Sequence, residues 1–249
     1  MLRFGLLNSF RDISHFITTR SGSSEADNYS SFNMCDYTGD DPAHVSLCRN
    51  RMADILEIPV DNFVFPRQVH KSEVGIVKDN TFTGEYDAVL TDRPGICIGI
   101  STADCVPILL YCPVRKVVGA VHAGWRGTVM RIASKTIRIM REHYGCDPKD
   151  IVAGIGPSIS PEAFEVGDEV ALAFQQEGFR TVWRESGMKG KSYIDLWEAN
   201  RQDLIDAGVS ETSIEISGIC TWSESERFFS ARRLGIKSGR IASMIMLRR

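Results

Sequence analysis

Short apolar runs rich in Val, Ile and Leu, punctuated by Gly, Pro or charged residues, recur through the chain. They predict strands over Ala88–Leu90, Ile96–Ser101, Pro107–Tyr111, Lys116–Val121, Ile151–Ile155, Ile214–Ser217 and Arg240–Leu247. Many of these runs are apolar at successive positions, the pattern of strands covered on both faces. Pro113-Val114-Arg115 supplies a turn between two of them, which would return the chain to the same sheet edge.

Helical spacing alternates with these runs. Asp41-Pro42 followed by AHVSLCRNRMADIL reads as a helix start, with Val45, Cys48, Met52 and Ile55 on its apolar face and Arg49 and Arg51 off it. A second helix is expected after Gly127, burying Val129, Ile132, Ala133, Thr136, Ile137, Met140 and Tyr144, with Arg131, Lys135, Arg138 and Arg141 outside and Gly145 as the stop. Asp195 is an N-cap with Glu198 three residues on, opening a helix that runs to Gly208. Strands buried on both faces with helices between them predict an α/β protein of packed layers.

The 249 residues show no low-complexity linker, no solenoid repeat and no shift in composition, so one domain over 1–249 is expected. The polar stretch Ser21 to Ser31 is the most loop-like part, a surface loop or a substrate lid. A net charge of -3 and the lack of a basic stripe argue against nucleic acid as a partner. No secretory signal or membrane-length apolar span is evident, so the expected location is cytoplasmic. Seven cysteines, an odd number without a CxxC pair, suit reduced thiols better than a disulfide framework.

The chemistry concentrates where strands end. VGAVHAGWRGT halts an apolar run at His122, ISTADCVPILLYC places Cys105 at the edge of another, and His70 interrupts PRQVHKSEV. Two imidazoles and a thiolate suit zinc (Zn²⁺), and their wide spacing is that of a catalytic site with an open fourth position rather than of a closed structural one. From spacing alone, five histidines and seven cysteines allow many such triples. His15, His44 and His143 read as packing or surface residues, and Cys97 and Cys112 as core thiols. Asp104 neighbours Cys105 and would point to the opposite face of a strand, as a supporting group. The loop Gly124–Thr128 leads into a helix and could hold an anion with the help of Arg126, or could be only a tight turn allowed by its glycines.

Taken in order, RQVH, TADC, HAGWRGT, GIGPSI and CTWSESERFFSARR followed by SGRIASMIML resemble the laccase-domain family, also called the multicopper polyphenol oxidase-like or peptidoglycan editing factor family. The resemblance spans almost the whole chain. It implies a layered α/β/β/α sandwich with mixed sheets, similar to the catalytic domain of cytotoxic necrotizing factor. It also implies a metal at His70, Cys105 and His122, with zinc the first choice and copper the second. The activity implied is phosphorolysis of adenosine, inosine and methylthioadenosine, with adenosine deamination beside it. Arg51, in the CRNRM stretch, carries over as a substrate or phosphate contact. The partners implied are a small-molecule nucleoside and phosphate, with no nucleic acid or membrane, and the expected assembly is a monomer or weak homodimer. Two departures bear on substrate preference: Lys71 follows His70 where a small residue is more usual, and Ser21–Ser31 only loosely resembles the family's amino-terminal substrate segment.

Multicopper oxidation would need far more imidazoles than five, and the chain has no His-x-His pair. Two rival readings remain. In one, Cys105 is the nucleophile of a hydrolase or amidase acting on a muropeptide precursor, with His122 as its base. In the other, the site is the structural metal of a non-enzymatic adaptor, which would require a fourth protein ligand such as Cys220.

Overall fold

The computed structural model describes residues 1–20, 28–179 and 183–249, so residues 21–27 of the polar amino-terminal stretch lie outside the described residues. The first part of the chain contains α1 (Gly5–Asn8), β1 (Ile13–Ile17), α2 (Pro42–Leu56), β2 (Phe63–Val64), β3 (Val74–Ile76) and β4 (Ala88–Thr91). The central part continues with β5 (Cys97–Thr102), β6 (Val106–Cys112), β7 (Val117–Ala123), α3 (Trp125–Val129), α4 (Ile132–Tyr144) and β8 (Val152–Ile155). Then follow β9 (Glu165–Gly167), α5 (Asp168–Gln176), β10 (Trp183–Glu185), β11 (Lys191–Ile194), α6 (Leu196–Asp206), β12 (Ile214–Ile216), α7 (Ala231–Leu234) and β13 (Ile241–Leu247).

A six-stranded sheet has the order β12-β8-β6-β7-β4-β3, and a four-stranded sheet the order β1-β13-β5-β2. Both are mixed: β12 with β8, β3 with β4 and β2 with β5 are parallel pairs, while the pairings at the centre of each sheet are antiparallel. A small sheet β10-β11-β9 stands apart.

Alternation along the strands makes the layers. Val89, Leu109, Tyr111, Val118 and Ala120 point to one face of the six-stranded sheet and pack against Ile13, Ile17, Ile98, Ile100, Ile241 and Ile245 of the other. Their neighbours Ala88, Leu90, Ile108, Leu110 and Val121 point the opposite way, onto Ile132, Ile137 and Met140 of α4, Phe174 of α5 and Leu204 of α6. On the far side of the four-stranded sheet, Phe16, Met244 and Met246 cover Cys48, Met52 and Leu56 of α2. The order is therefore helix, sheet, sheet, helices. No helix among the described residues is long and apolar enough to cross a membrane.

All seven strands expected from the apolar runs are present, with ends shifted by a residue or two. Two helices differ in detail. In α2 the buried stripe is Val45, Cys48, Met52 and Leu56, and Ile55 is 53% exposed. One residue is about 100° of helix, and Leu56 continues the 3-4-4 spacing that Ile55 leaves. The helix expected after Gly127 is two helices, broken at Arg131, which takes a left-handed φ of 59°. Arg131 is held there from outside, not left in solvent: its guanidinium reaches Asp203, Asp206 and the Glu177 carbonyl and lies 3.7 Å from the centre of the Phe179 ring.

Fully buried Asp203 ties α6 to α4. It accepts from Ser134 N–H at 3.0 Å and Ser134 Oγ at 2.6 Å as well as from Arg131. Burial raises its pKa, and the Ser134 bonds and the Arg131 charge oppose that rise. Asp203→Ala leaves the Ser134 N–H without its acceptor, while Ser134 Oγ keeps the carbonyl of residue 203 at 2.9 Å, and should lower unfolding free energy by about 2 kcal/mol, read from urea denaturation followed by circular dichroism.

Candidate metal centre

The β6–β7 hairpin brings two of the ligand candidates together. Its register pairs Pro107 with His122 and Val106 with Ala123, so Cys105, just before β6, lies beside the end of β7. The chain enters β6 through Asp104, which sits in a bend rather than in a strand, with a left-handed φ of 84°. Its carboxylate holds that bend: Oδ1 accepts from Thr221 Oγ1 at 2.7 Å, and Oδ2 from the Arg232 N–H at 2.7 Å. Asp104 thus fastens the Cys105 turn to the carboxy-terminal segment.

His70 arrives from a different segment, between β2 and β3. It too is left-handed, with φ 57°, a conformation that costs a non-glycine residue about 1–2 kcal/mol. The compensation comes from Asp87, fully buried at the entrance to β4, which accepts the N–H groups of Val69 at 3.3 Å, His70 at 2.9 Å and Lys71 at 2.7 Å. Gln68 adds a second tie, its side-chain amide accepting from Ser101 N–H at 2.7 Å and donating to Ser101 O at 2.8 Å. The loop is thereby pinned to both large sheets.

Asp87 also sets His122. The His122 N–H donates to the Asp87 carbonyl at 2.7 Å, and Nδ1 donates to Asp87 Oδ1 at 2.8 Å. A carboxylate accepts only, so Nδ1 carries a proton and Nε2 is the nitrogen turned toward a ligand.

His70, Cys105 and His122 place their ligand atoms within 4.8 Å of one another, and the two imidazole rings are 4.8 Å apart at 88°. Two imidazoles and one thiol form a donor set that suits zinc. Gly124 makes room for it: a Cβ there would stand 3.1 Å from Cys105 Sγ, 3.4 Å from His70 Cδ2 and 3.7 Å from His122 Cε1. Among the described residues no fourth His, Cys, Asp or Glu joins the cluster, and Cys220 Sγ instead accepts from the Ser160 N–H at 3.3 Å. His122 is buried, Cys105 half-buried and His70 exposed, so the cluster opens to solvent on the His70 side.

Charge complementarity is strong. Burial alone would raise the Cys105 pKa, but the charge and hydrogen bond of His122, followed by those of His70, pull it down to about 6. Burial would lower the His122 pKa, but the Cys105 thiolate and the Asp87 hydrogen bond lift it to about 9. Asp87 is held below the usual carboxylate range; burial opposes this, and the His122 and backbone hydrogen bonds outweigh it.

The two arginines singled out in the sequence are both exposed. Arg126 is exposed on the short α3, with its guanidinium 4.2 Å from the Trp125 ring centre. Arg51 is exposed on α2 and is not on the wall of the large neighbouring cleft. That cleft, of about 1100 Å³, is lined by Arg49 and Asn50 on one side and by Arg67, Gln68 and Ser101 on another. None of the three ligand candidates lines it; Gln68, two residues from His70, is its link to the centre. Asp87 and Gln68 escaped the sequence reading. Asp87 left one faint signal, an acid set directly against the apolar run AVL.

Asp87→Asn should weaken zinc binding by about 10–100-fold, and Gly124→Ala should do so through contact with Sγ; both are read by competition against a chromogenic chelator. In chelator-treated protein, Cys105 should be alkylated by iodoacetamide with a midpoint near pH 6, because the thiolate reacts and its fraction rises with pH. Peptide mapping against Cys105→Ala isolates this site, and a midpoint near the usual ~8.5 would refute the pairing.

The sequence profile described as multi-copper polyphenol oxidoreductase laccase matches residues 14–248. A purine nucleoside phosphorylase of Bacteroides thetaiotaomicron is 43% identical over 99% of this chain and 96% of its own length. Adenosine deaminase RL5, from an unknown prokaryotic organism, is 41% identical over 93% of each chain. The crystal structure of YlmD from Geobacillus stearothermophilus superposes with a TM-score of 0.90 at 33% identity, covering 96% of this chain and 93% of that one. With profile, relatives and architecture in agreement over nearly the whole length, the chain belongs to the multi-copper polyphenol oxidoreductase laccase family.

Proposed function

We propose that the protein is a zinc-dependent purine nucleoside phosphorylase acting on adenosine, inosine and methylthioadenosine, with adenosine deamination as a second activity. The observation that carries this reading is the His70–Cys105–His122 cluster with one side open, in a chain 43% identical to a named purine nucleoside phosphorylase. His122 Nε2, Cys105 Sγ and His70 would hold the metal, which when bound supplies a Lewis acid and lowers the pKa of water.

The protein's own groups have definite tasks. Asp87 keeps the His122 proton on Nδ1, so that the ring binds through Nε2 without moving. Asp87 and Gln68 hold the His70 loop, and the buried side of the cluster excludes water while the His70 side admits substrate. In phosphorolysis the glycosidic C–N bond breaks, the base departs with the bonding pair and is protonated on nitrogen, and a phosphate oxygen bonds to the sugar carbon. A guanidinium matches the charge of that phosphate. Arg126, on α3 directly after the His122 strand, is the first proposed contact and Arg51, on the solvent side of α2, the second. In deamination, water adds to the purine carbon that bears the amino group and ammonia leaves.

One observation favours the hydrolase alternative: Cys105, His122 and Asp87 also form a thiolate–imidazole–carboxylate series, the arrangement that activates a cysteine nucleophile. Metal analysis separates the two. Stoichiometric zinc with Cys105 shielded from alkylation supports the phosphorylase, and metal-free, rapidly alkylated Cys105 supports the hydrolase.

With inosine, hypoxanthine should appear only when phosphate is present and only while zinc is bound, and Cys105→Ala should abolish it. Arg126→Ala should raise KM for phosphate about tenfold, since a charge-assisted hydrogen bond is lost, with Arg51→Ala measured beside it. Liquid chromatography of the products is the readout. Zinc-loaded protein that forms no hypoxanthine in phosphate buffer refutes the proposal.

A further inference from the structure

Three arginines gather where the two ends of the chain meet, far from the metal centre. Arg3, Arg11 and Arg248 line a cavity of about 210 Å³ together with Asn8, Ser14 and His15. Among the described residues none of the three has a carboxylate within 4.0 Å. The acids of this neighbourhood are otherwise engaged: Asp12 is bound by Lys116 and by Tyr111 Oη, and Glu215 accepts the N–H groups of Gly5 and Leu6.

The floor of the cavity carries polar hydrogens without acceptors. His15 is only 3% exposed, and its Nε2 accepts the Phe4 N–H at 2.8 Å. Burial, and then the charge of Arg3, push its pKa down to about 4, so the ring is neutral and its proton is on Nδ1. That Nδ1–H has no acceptor among the described residues. Ser14, 8% exposed, accepts Arg248 Nε at 2.9 Å and has its own hydroxyl hydrogen left to donate. Arg248 Nε also donates to the Ile13 carbonyl at 3.0 Å.

Arg3 also lies 4.5 Å from the Phe16 ring centre, but guanidiniums without a carboxylate partner beside two buried donors are complementary to an oxyanion with several acceptor oxygens. The volume is below the roughly 300 Å³ at which pockets for whole small-molecule ligands begin, and suits a single phosphoryl group. We infer that this cavity is a binding site for a phosphate-class oxyanion, either free phosphate or the end of a phosphate monoester, separate from the metal centre. The separation follows from strand register. β13 pairs Ile241 with Thr102 at the metal end and Leu247 with Ile13 at the cavity end, and six steps of strand span about 20 Å.

The test uses zinc-loaded protein titrated with inorganic phosphate and, separately, with methyl phosphate, followed by calorimetry and by the ¹⁵N resonances of His15. Saturable binding that shifts His15 Nδ1 and is weakened about tenfold in Arg3→Gln/Arg11→Gln, with melting temperature and inosine turnover unchanged, is the expected result. A response to both probes shows that monoesters are admitted, and a response to phosphate alone shows a site for the free ion. A His15 resonance that does not move at millimolar phosphate overturns the inference. So does binding that survives in Arg3→Gln/Arg11→Gln and is lost in Arg126→Ala. Because turnover is measured on the same variant, failure of this site and failure of the proposed activity are told apart.

Discussion

The carboxylate of Asp87 has no solvent exposure and accepts hydrogen bonds from three successive backbone amides and from His122 Nδ1. A buried charge without such partners would cost several kcal/mol, so the strand entrance, the His70 loop and the His122 ring are stable only together. Each partner is otherwise unfavourable. His70 is left-handed, three amides crowd one loop, and an imidazole is buried beside a thiol. The same carboxylate fixes the tautomer that leaves Nε2 available, so the conformation of the loop and the chemistry of the ring have one cause.

Around that point the layers supply rigidity. The β6–β7 register carries Cys105 and His122 to a shared edge, and the inner faces of both sheets bury an aliphatic core that leaves the hairpin no freedom to slide. A slip of one residue would turn Leu109 and Val118 out of that core along with their neighbours. At the centre itself the limit is steric, because Gly124 leaves a Cβ-sized gap beside Sγ that any other residue would fill. Burial falls off from His122 through Cys105 to His70, so the three side chains are anchored on one side and accessible on the other.

The two ends of the long β13 differ in character. Toward Ile241 lie the thiol and imidazoles; near Leu247 lie the guanidiniums of Arg3, Arg11 and Arg248, none with a carboxylate partner among the described residues.

Apolar runs and period-3.6 spacing made seven strands and the α2, α4 and α6 helices legible, because burial imprints the sequence directly. Six strands, β1, β2, β3, β9, β10 and β11, were not legible; four of them have three residues or fewer and carry too little period to stand out from loops, and the break at Arg131 depends on Asp203 and Phe179, far away in the chain. The candidate metal-binding residues His70, Cys105 and His122 stood out by residue type and by motif. Asp87, the exposure of each ligand, the placement of Arg49 rather than Arg51 on the cleft wall, and the basic cavity around His15 did not. The sequence by itself determined which segments become strands and helices and which donor atoms are available. Only the tertiary structure decided which donors meet, which carboxylate orients them and which cations go unpaired, because those depend on distances between segments that local sequence does not encode.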